Sequence, residues 1–208
     1  MMVRATVVVD NRVGFVRGSF RAAHGLSIVV EVPEEGLRVL FDTGPSAGLL
    51  SGNLEAAGFG PLFDHVVLSH GHWDHVGGAG VVRGEVHGPS GDEVVLAEDV
   101  RVTGAFEGEY EGRPLPERAL VVGDVAFLGC CHFDVEGLLE EYSPRVLVGG
   151  FHLLDDVERT EGFLGVLKEY GVEEVYPCHC TGLVSSVRLC EGLEGEPGYV
   201  PLRLEWEV

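Results

Sequence analysis

A chain of 208 residues that is 45% hydrophobic is long enough for one substantial core. Its longest apolar runs, of about half a dozen residues, fall far below the roughly 20 that cross a bilayer, so a membrane-spanning helix is excluded. A formal charge of −20, with Lys168 the only lysine against 34 acidic residues and no basic run, argues against a nucleic-acid partner held through its phosphates.

The near absence of lysine also differs from the Lys/Glu enrichment of ordinary hyperthermophiles and points to a saline host cytoplasm. The N-terminal segment M-M-V-R-A-T-V-V-V-D has no long apolar stretch and no small-residue cleavage site, so the expected location is cytoplasmic. The five cysteines, Cys130, Cys131, Cys178, Cys180 and Cys190, are odd in number, and four cluster near histidines. That pattern favours reduced thiols near a site over a disulfide framework.

In chain order, the first forty residues predict a β-meander. Thr6–Val9, Leu26–Val32 and Leu37–Phe41 are rich in β-branched and apolar residues, with a turn at Pro33-Glu34-Glu35-Gly36. Asp42-Thr43-Gly44 ends the third strand. Leu49, Leu50, Leu54 and Ala57 then recur at helical spacing, predicting a surface helix over Ser46–Ala57 that stops at Gly58.

The stretch Asp64–Gly78, D-H-V-V-L-S-H-G-H-W-D-H-V-G-G, is where chemistry concentrates. An apolar run, Val66 to Leu68, reads as a short buried strand. His70, His72, Asp74 and His75 follow within six residues. In an extended segment alternate side chains share a face, so His70 and His72 can offer two nitrogens to one cation. Asp74 and His75 fall where the chain turns into a helix start and can serve a second position beside the first. H-G-H-W-D-H-V-G-G resembles the H-x-H-x-D-H signature of the metallo-β-lactamase superfamily. In that superfamily the aspartate of L-F-D-T-G, here Asp42, supports the metal-site loop and is not a ligand, a role any ligand loop needs filled. Trp73, between the ligand residues, is expected to pack in the core, and His65 to lie before the strand at the surface.

From Val81 to Glu117 the pattern weakens, with short strands expected around Val94–Leu96 and Arg101–Thr103; a substrate-binding rim fits here. A second half follows. It comprises strands at Ala119–Val122 and Val125–Leu128, a helix over Glu136–Tyr142 and a strand at Val146–Val148. A helix capped by Asp155 with Glu158 and ending at Gly171, a strand at Val172–Tyr176, a helix over Leu183–Cys190 and a C-terminal strand complete it. Two such halves in one domain, residues 1–208, give an α/β fold, the αββα sandwich that the resemblance also implies.

Each later strand end delivers a histidine: His132 after G-C-C, His152 in G-G-F-H-L and His179 in C-H-C-T-G. Ligands commonly bind where strand ends open onto one sheet edge. By position in the superfamily pattern, the resemblance implies that His132 joins His70 and His72, and that His179 joins Asp74 and His75. At His152 most members carry an aspartate bridging two metals. The histidine leaves that anion missing, and both a ligand role and a substrate-facing role remain open for it. His24 and His87 are pocket-wall candidates through the resemblance.

The implied cofactor is one or two divalent ions, zinc first and iron or manganese as alternatives, acting on a small-molecule substrate. Neutral imidazoles around such an ion lower the pKa of bound water from 15.7 to about 7, and the resulting hydroxide attacks an ester or phosphoester, with Asp74 orienting it or accepting its proton. G-C-C-H, G-G-F-H-L and H-C-T-G, with Asp10-Asn11 and His24-Gly25-Leu26-Ser27, narrow the resemblance to a subfamily named 7,8-dihydropterin-6-yl-methyl-4-(β-D-ribofuranosyl)aminobenzene 5′-phosphate synthase, of methanopterin biosynthesis. The alternative it implies is a transferase acting on a pterin-like, phosphorylated substrate. A non-catalytic or redox di-metal protein is the third reading.

Overall fold

The structure is a computed structural model that describes residues 1–14 and 19–208. It divides the chain into two compact units, Met1–Gly91 with Tyr199–Val208, and Asp92–Gly198.

The first unit holds β1 (Met2–Val9), β2 (Ser27–Val32), β3 (Leu37–Phe41), α1 (Ala47–Ala57), β4 (Leu62–Val67), α2 (Trp73–Val76) and β5 (Arg83–His87). The second holds β6 (Val94–Ala97), β7 (Val100–Val102), the ribbon β8 (Glu109–Tyr110) with β9 (Arg113–Pro114), β10 (Leu120–Val122) and β11 (Val125–Leu128). These are followed by α3 (Val135–Tyr142), β12 (Val146–Gly149), α4 (Val157–Glu169), β13 (Glu174–Pro177), α5 (Leu183–Gly192) and β14 (Glu194–Gly195). The chain returns to the first unit as β15 (Leu202–Glu207).

The first sheet runs β15-β1-β2-β3-β4-β5, antiparallel as far as β3 and parallel from β3 to β5. The expected meander is present, and Gly36 closes its turn in the left-handed region at φ 62°. Helix α1 starts after an extended Ser46 and ends at Gly58, also left-handed. It buries the apolar residues that predicted it: Leu49, Leu50, Leu54 and Ala57 pack with Val8, Val29, Leu40, Phe63 and Val66. Fully burying one such leucine contributes about 1.5–3 kcal/mol. Strand β5 was not anticipated. Four of its five residues, Arg83 to Val86, are exposed, because it is the edge strand and shows no apolar periodicity.

The second sheet runs β14-β13-β12-β11-β10-β7-β6, parallel from β14 to β11 and antiparallel beyond. Helices α3, α4 and α5 supply Leu138, Leu139, Leu167 and Leu189 to a core with Ala126, Leu128, Leu147 and Val175 of the sheet. The expected cap of α4 needs correction. Asp156 is the N-cap, accepting from the amide of Arg159 at 3.0 Å. Asp155 instead accepts from the amides of Val184 and Ser185, at 2.7 and 3.1 Å, and so satisfies the start of α5. Both aspartates cap, but different helices.

Candidate metal centre

In parallel sheets the strand C-termini gather at one edge, and that is where the candidate residues lie. In the first unit β3 and β4 run in register, Phe41 beside Val67, so Asp42 and Ser69 leave the sheet together. Asp42 is fully buried. One carboxylate oxygen accepts from the Ser69 amide at 2.7 Å; the other meets the Ser69 hydroxyl at 2.7 Å and His75 Nδ1 at 2.6 Å. With Nδ1 engaged by the carboxylate, the outer nitrogen of His75, Nε2, lies 3.7 Å from Asp74 Oδ2. Thr43 straps the same turn, its amide and hydroxyl both donating to the His75 carbonyl, at 2.7 and 2.9 Å. Asp42 thus fills the supporting role that the resemblance implied.

His70 Nδ1 lies 2.9 Å from the Ser69 hydroxyl, and its Nε2 faces His72 Nδ1 at 3.0 Å. The His70 and His75 rings are 4.1 Å apart. His24 Nε2 approaches Asp74 Oδ2 to 3.2 Å, while Asn11 accepts from the Gly25 amide at 3.2 Å. Gly25, at φ 145°, is required there: a Cβ would sit 2.4 Å from the Asp74 carbonyl oxygen. Trp73 is 62% exposed, so the expected core packing is corrected; it heads the four-residue helix α2 and turns outward while Asp74 and His75 turn in. His65 lies within β4, not before it, with Nδ1 3.0 Å from His87 Nε2 at the end of β5.

The second unit repeats the device. Leu128, Gly149 and Pro177 stand side by side across β11, β12 and β13, so their exits carry Cys130 to His132, Phe151 to His152 and Cys178 to Cys180 off one edge. Cys131, His152 and His179 all take positive φ, at 57°, 45° and 45°, a conformation non-glycine residues hold only when their surroundings impose it. Glu117, fully buried, imposes it at the first exit by accepting from the amides of Cys130, Cys131 and His132 at 2.7, 2.9 and 2.9 Å. The His132 and His152 rings are 4.4 Å apart, and Tyr110 of β8 meets both edge-on, at 5.3 and 5.7 Å. Neither Glu117 nor Tyr110 carried a sequence signal; both lie in the weakly patterned stretch read as a rim.

Burial holds the Cys131 thiol well above its ordinary range, with Glu117 adding to the effect. Burial also opposes ionisation of Cys180, but hydrogen bonds from Cys130 and His152, with the nearby His179, outweigh it and hold that thiol well below its ordinary range.

In the first unit His70, His72, Asp74 and His75 come together; in the second His132 and His152 do. His179 is buried at the end of β13. Imidazole and carboxylate donors at strand ends, one ring pinned by a buried carboxylate, are the chemistry of a divalent-metal centre.

The comparisons agree with that class. The family model described as metallo-beta-lactamase superfamily matches residues 21–91. The solved structure of Tm1679, a metal-dependent hydrolase of the beta-lactamase superfamily, superposes with a TM-score of 0.77 at 26% identity, over 99% of both chains. A diphosphatase of the PhnP family shares the fold at a TM-score of 0.65 and 14% identity, over 99% of this chain and 98% of that one. The resemblance to the metallo-β-lactamase superfamily read from H-G-H-W-D-H is thus matched by a family model over residues 21–91 and by a neighbour of the same α/β fold, which supports a metal-dependent, hydrolase-like function.

Among individual relatives, the 7,8-dihydropterin-6-methyl-4-(beta-D-ribofuranosyl)-aminobenzene-5′-phosphate synthase of Methanocaldococcus jannaschii is 24% identical, over 78% of this chain and 82% of its own. An uncharacterized protein of the same organism is 24% identical over 83% and 89%. No helix among the described residues is long and apolar enough to cross a membrane.

Proposed function

We propose that the chain is a metal-dependent hydrolase of small molecules carrying an ester or phosphoester, with residues 1–208 working as one domain. His70, His72 and His132 form one ligand set; Asp74, His75 and His179 form the other. The observation that carries this reading is the arrangement in the first unit. Asp42 fixes His75 by Nδ1, so that Nε2 is the nitrogen turned toward Asp74, while His70 and His72 aim ring nitrogens at each other across 3.0 Å. Donors so fixed suit a zinc-type divalent cation. When bound, such a cation lowers the pKa of water from 15.7 to about 7 and stabilises charge gathering on a substrate oxygen.

The remaining work falls to the chain. Asp74, beside His24 at 3.2 Å, orients the attacking water and accepts its proton. His152, beside His132 and Tyr110, stands where the superfamily carries its bridging aspartate and takes a catalytic role in contact with substrate. The formal charge of −20 disfavours nucleic acid and leaves small molecules as the substrate class. Cytoplasmic location fits the reduced state expected of an odd set of five cysteines.

The test is the metal content of protein purified without chelator, beside hydrolysis of a generic phosphodiester and a thioester panel. Bound metal and measurable hydrolysis are expected. His72→Ala should lose both metal retention and turnover while its circular dichroism stays that of the parent. Full turnover by metal-free His72→Ala protein ends the hydrolase reading.

A second reading has its own support in G-G-F-H-L, H-C-T-G and the 24% identical synthase: transfer of a dihydropterin methyl group to a ribofuranosylaminobenzene phosphate, in methanopterin biosynthesis. Bound metal without hydrolysis of any panel member, together with pterin transfer, would favour it.

A further inference from the structure

Beside His152 the second unit places two thiols, Cys130 and Cys180, that the hydrolase reading leaves without a task. The Cys130 and Cys180 sulfurs are 3.2 Å apart, and one donor atom each from Cys130, His152 and Cys180 lie within 4.8 Å of one another. Both cysteines are buried, at 3% and 6% exposure. The backbone amide of His152 donates to Cys180 at 3.3 Å, tying the β12 exit to the thiol pair. Gly150 lets that exit pass, since a Cβ there would meet the Cys180 sulfur at 2.7 Å and the Gly129 carbonyl oxygen at 2.4 Å. The ring Nδ1 of His152 is buried with no hydrogen-bond partner among the described residues. Such an orphan ordinarily costs about 1–3 kcal/mol, and a cation would satisfy it.

We propose that Cys130, His152 and Cys180 form a site for a thiophilic cation of Zn(II) type, adjoining His132 and His179, beside which Cys130 also lies. Two sulfurs and an imidazole are the donors such an ion prefers over harder divalent cations. Binding takes both sulfurs as thiolates, with any proton still on them passing to solvent, and two thiolates cancel the 2+ charge, so the loaded site is neutral and suited to burial. Three protein donors leave a fourth position for water or a substrate atom. The thiolates also supply anionic charge beside the position from which the superfamily's bridging aspartate is missing. This inference concerns which side chains hold metal and is read by thiolate ligation, whereas the hydrolase reading is tested by turnover, so the two can fail independently.

The test is Co(II) titration of the reduced, chelator-stripped, full-length chain under anaerobic conditions, read by the near-ultraviolet thiolate-to-cobalt charge-transfer absorption. The band is expected in the parent and in His72→Ala, and is expected to be lost in Cys130→Ser and in Cys180→Ser. No band in the parent overturns the proposal, as does an undiminished band in either serine variant, which would place the thiolates at Cys131, Cys178 or Cys190. Should the serine variants fail to fold by circular dichroism, His152→Ala decides, with Co(II) affinity expected to fall by more than about tenfold. Unchanged affinity there overturns the proposal, and so does a Cys130–Cys180 disulfide in anaerobically isolated protein. A band retained in hydrolysis-dead His72→Ala separates this site from the hydrolase reading, whose failure leaves it intact.

Discussion

Asp42, fully buried, receives three donors: the Ser69 amide and hydroxyl and the His75 ring. It therefore sets both the path of the ligand loop and the nitrogen that His75 presents. Asp42→Asn turns an amide NH2 toward groups that must themselves donate. It should lower metal affinity by about 10–100-fold, read by competition against a graded chelator. Unchanged affinity would remove Asp42 from that role. Glu117 is the counterpart in the second unit, holding three consecutive amides of the G-C-C-H loop. Glu117→Gln loses charge-assisted bonds and opposes a donor to a donor, so chemical unfolding should show a loss of about 3 kcal/mol. A loss within a few tenths of a kcal/mol would mean the loop keeps its shape without Glu117.

Among the elements, the helices around the second core depend on contacts that do not follow sequence adjacency. Asp156 caps α4, the helix it precedes, while Asp155 caps α5, some thirty residues on. Each alanine substitution should cost about 0.5–2 kcal/mol in urea unfolding. Native-state hydrogen exchange should then show faster opening of α5 for Asp155→Ala and of α4 for Asp156→Ala. The reverse assignment would mean that the caps are exchanged.

Tyr170, at the end of α4, donates to Glu140 at 3.0 Å and Glu136 at 3.4 Å, both on α3. The bond to Glu140 is the main reason its hydroxyl is pushed up to about 12, from an ordinary 10.0. A raised acid favours the neutral folded form, so its contribution is complete below pH 10 and is lost as pH rises through about 12. Parent protein should lose stability over that window more steeply than Tyr170→Phe; superimposable alkaline profiles would rule out the tie between α3 and α4.

For the molecule as a whole, 34 acidic residues against 14 basic ones make self-repulsion the largest general electrostatic term. Salt screens it, with a Debye length that falls from about 10 Å at 0.1 M to 3 Å at 1 M. Melting temperature should therefore rise with added KCl over that range. A flat or falling dependence would remove the saline-cytoplasm reading of the missing lysines.

Amino-acid order alone determined whatever depends on neighbours along the chain. The Val-rich strands of the meander, the apolar spacing of α1 and its glycine stop, and the crowding of His70, His72, Asp74 and His75 were all legible, because strand, helix and ligand spacing are local geometry. Edge strand β5 was not, since an exposed strand carries no apolar alternation, and Trp73 was misread because hydrophobicity says nothing about which side of a four-residue helix faces out. Only the tertiary structure decided that Glu117 holds the His132 loop, that Asp155 serves a distant helix, and that Cys130 and Cys180, fifty residues apart, meet beside His152. Those partners are set by the parallel register of β11, β12 and β13, in which Leu128, Gly149 and Pro177 align. Such a register is a long-range choice made by packing, and no local pattern encodes it.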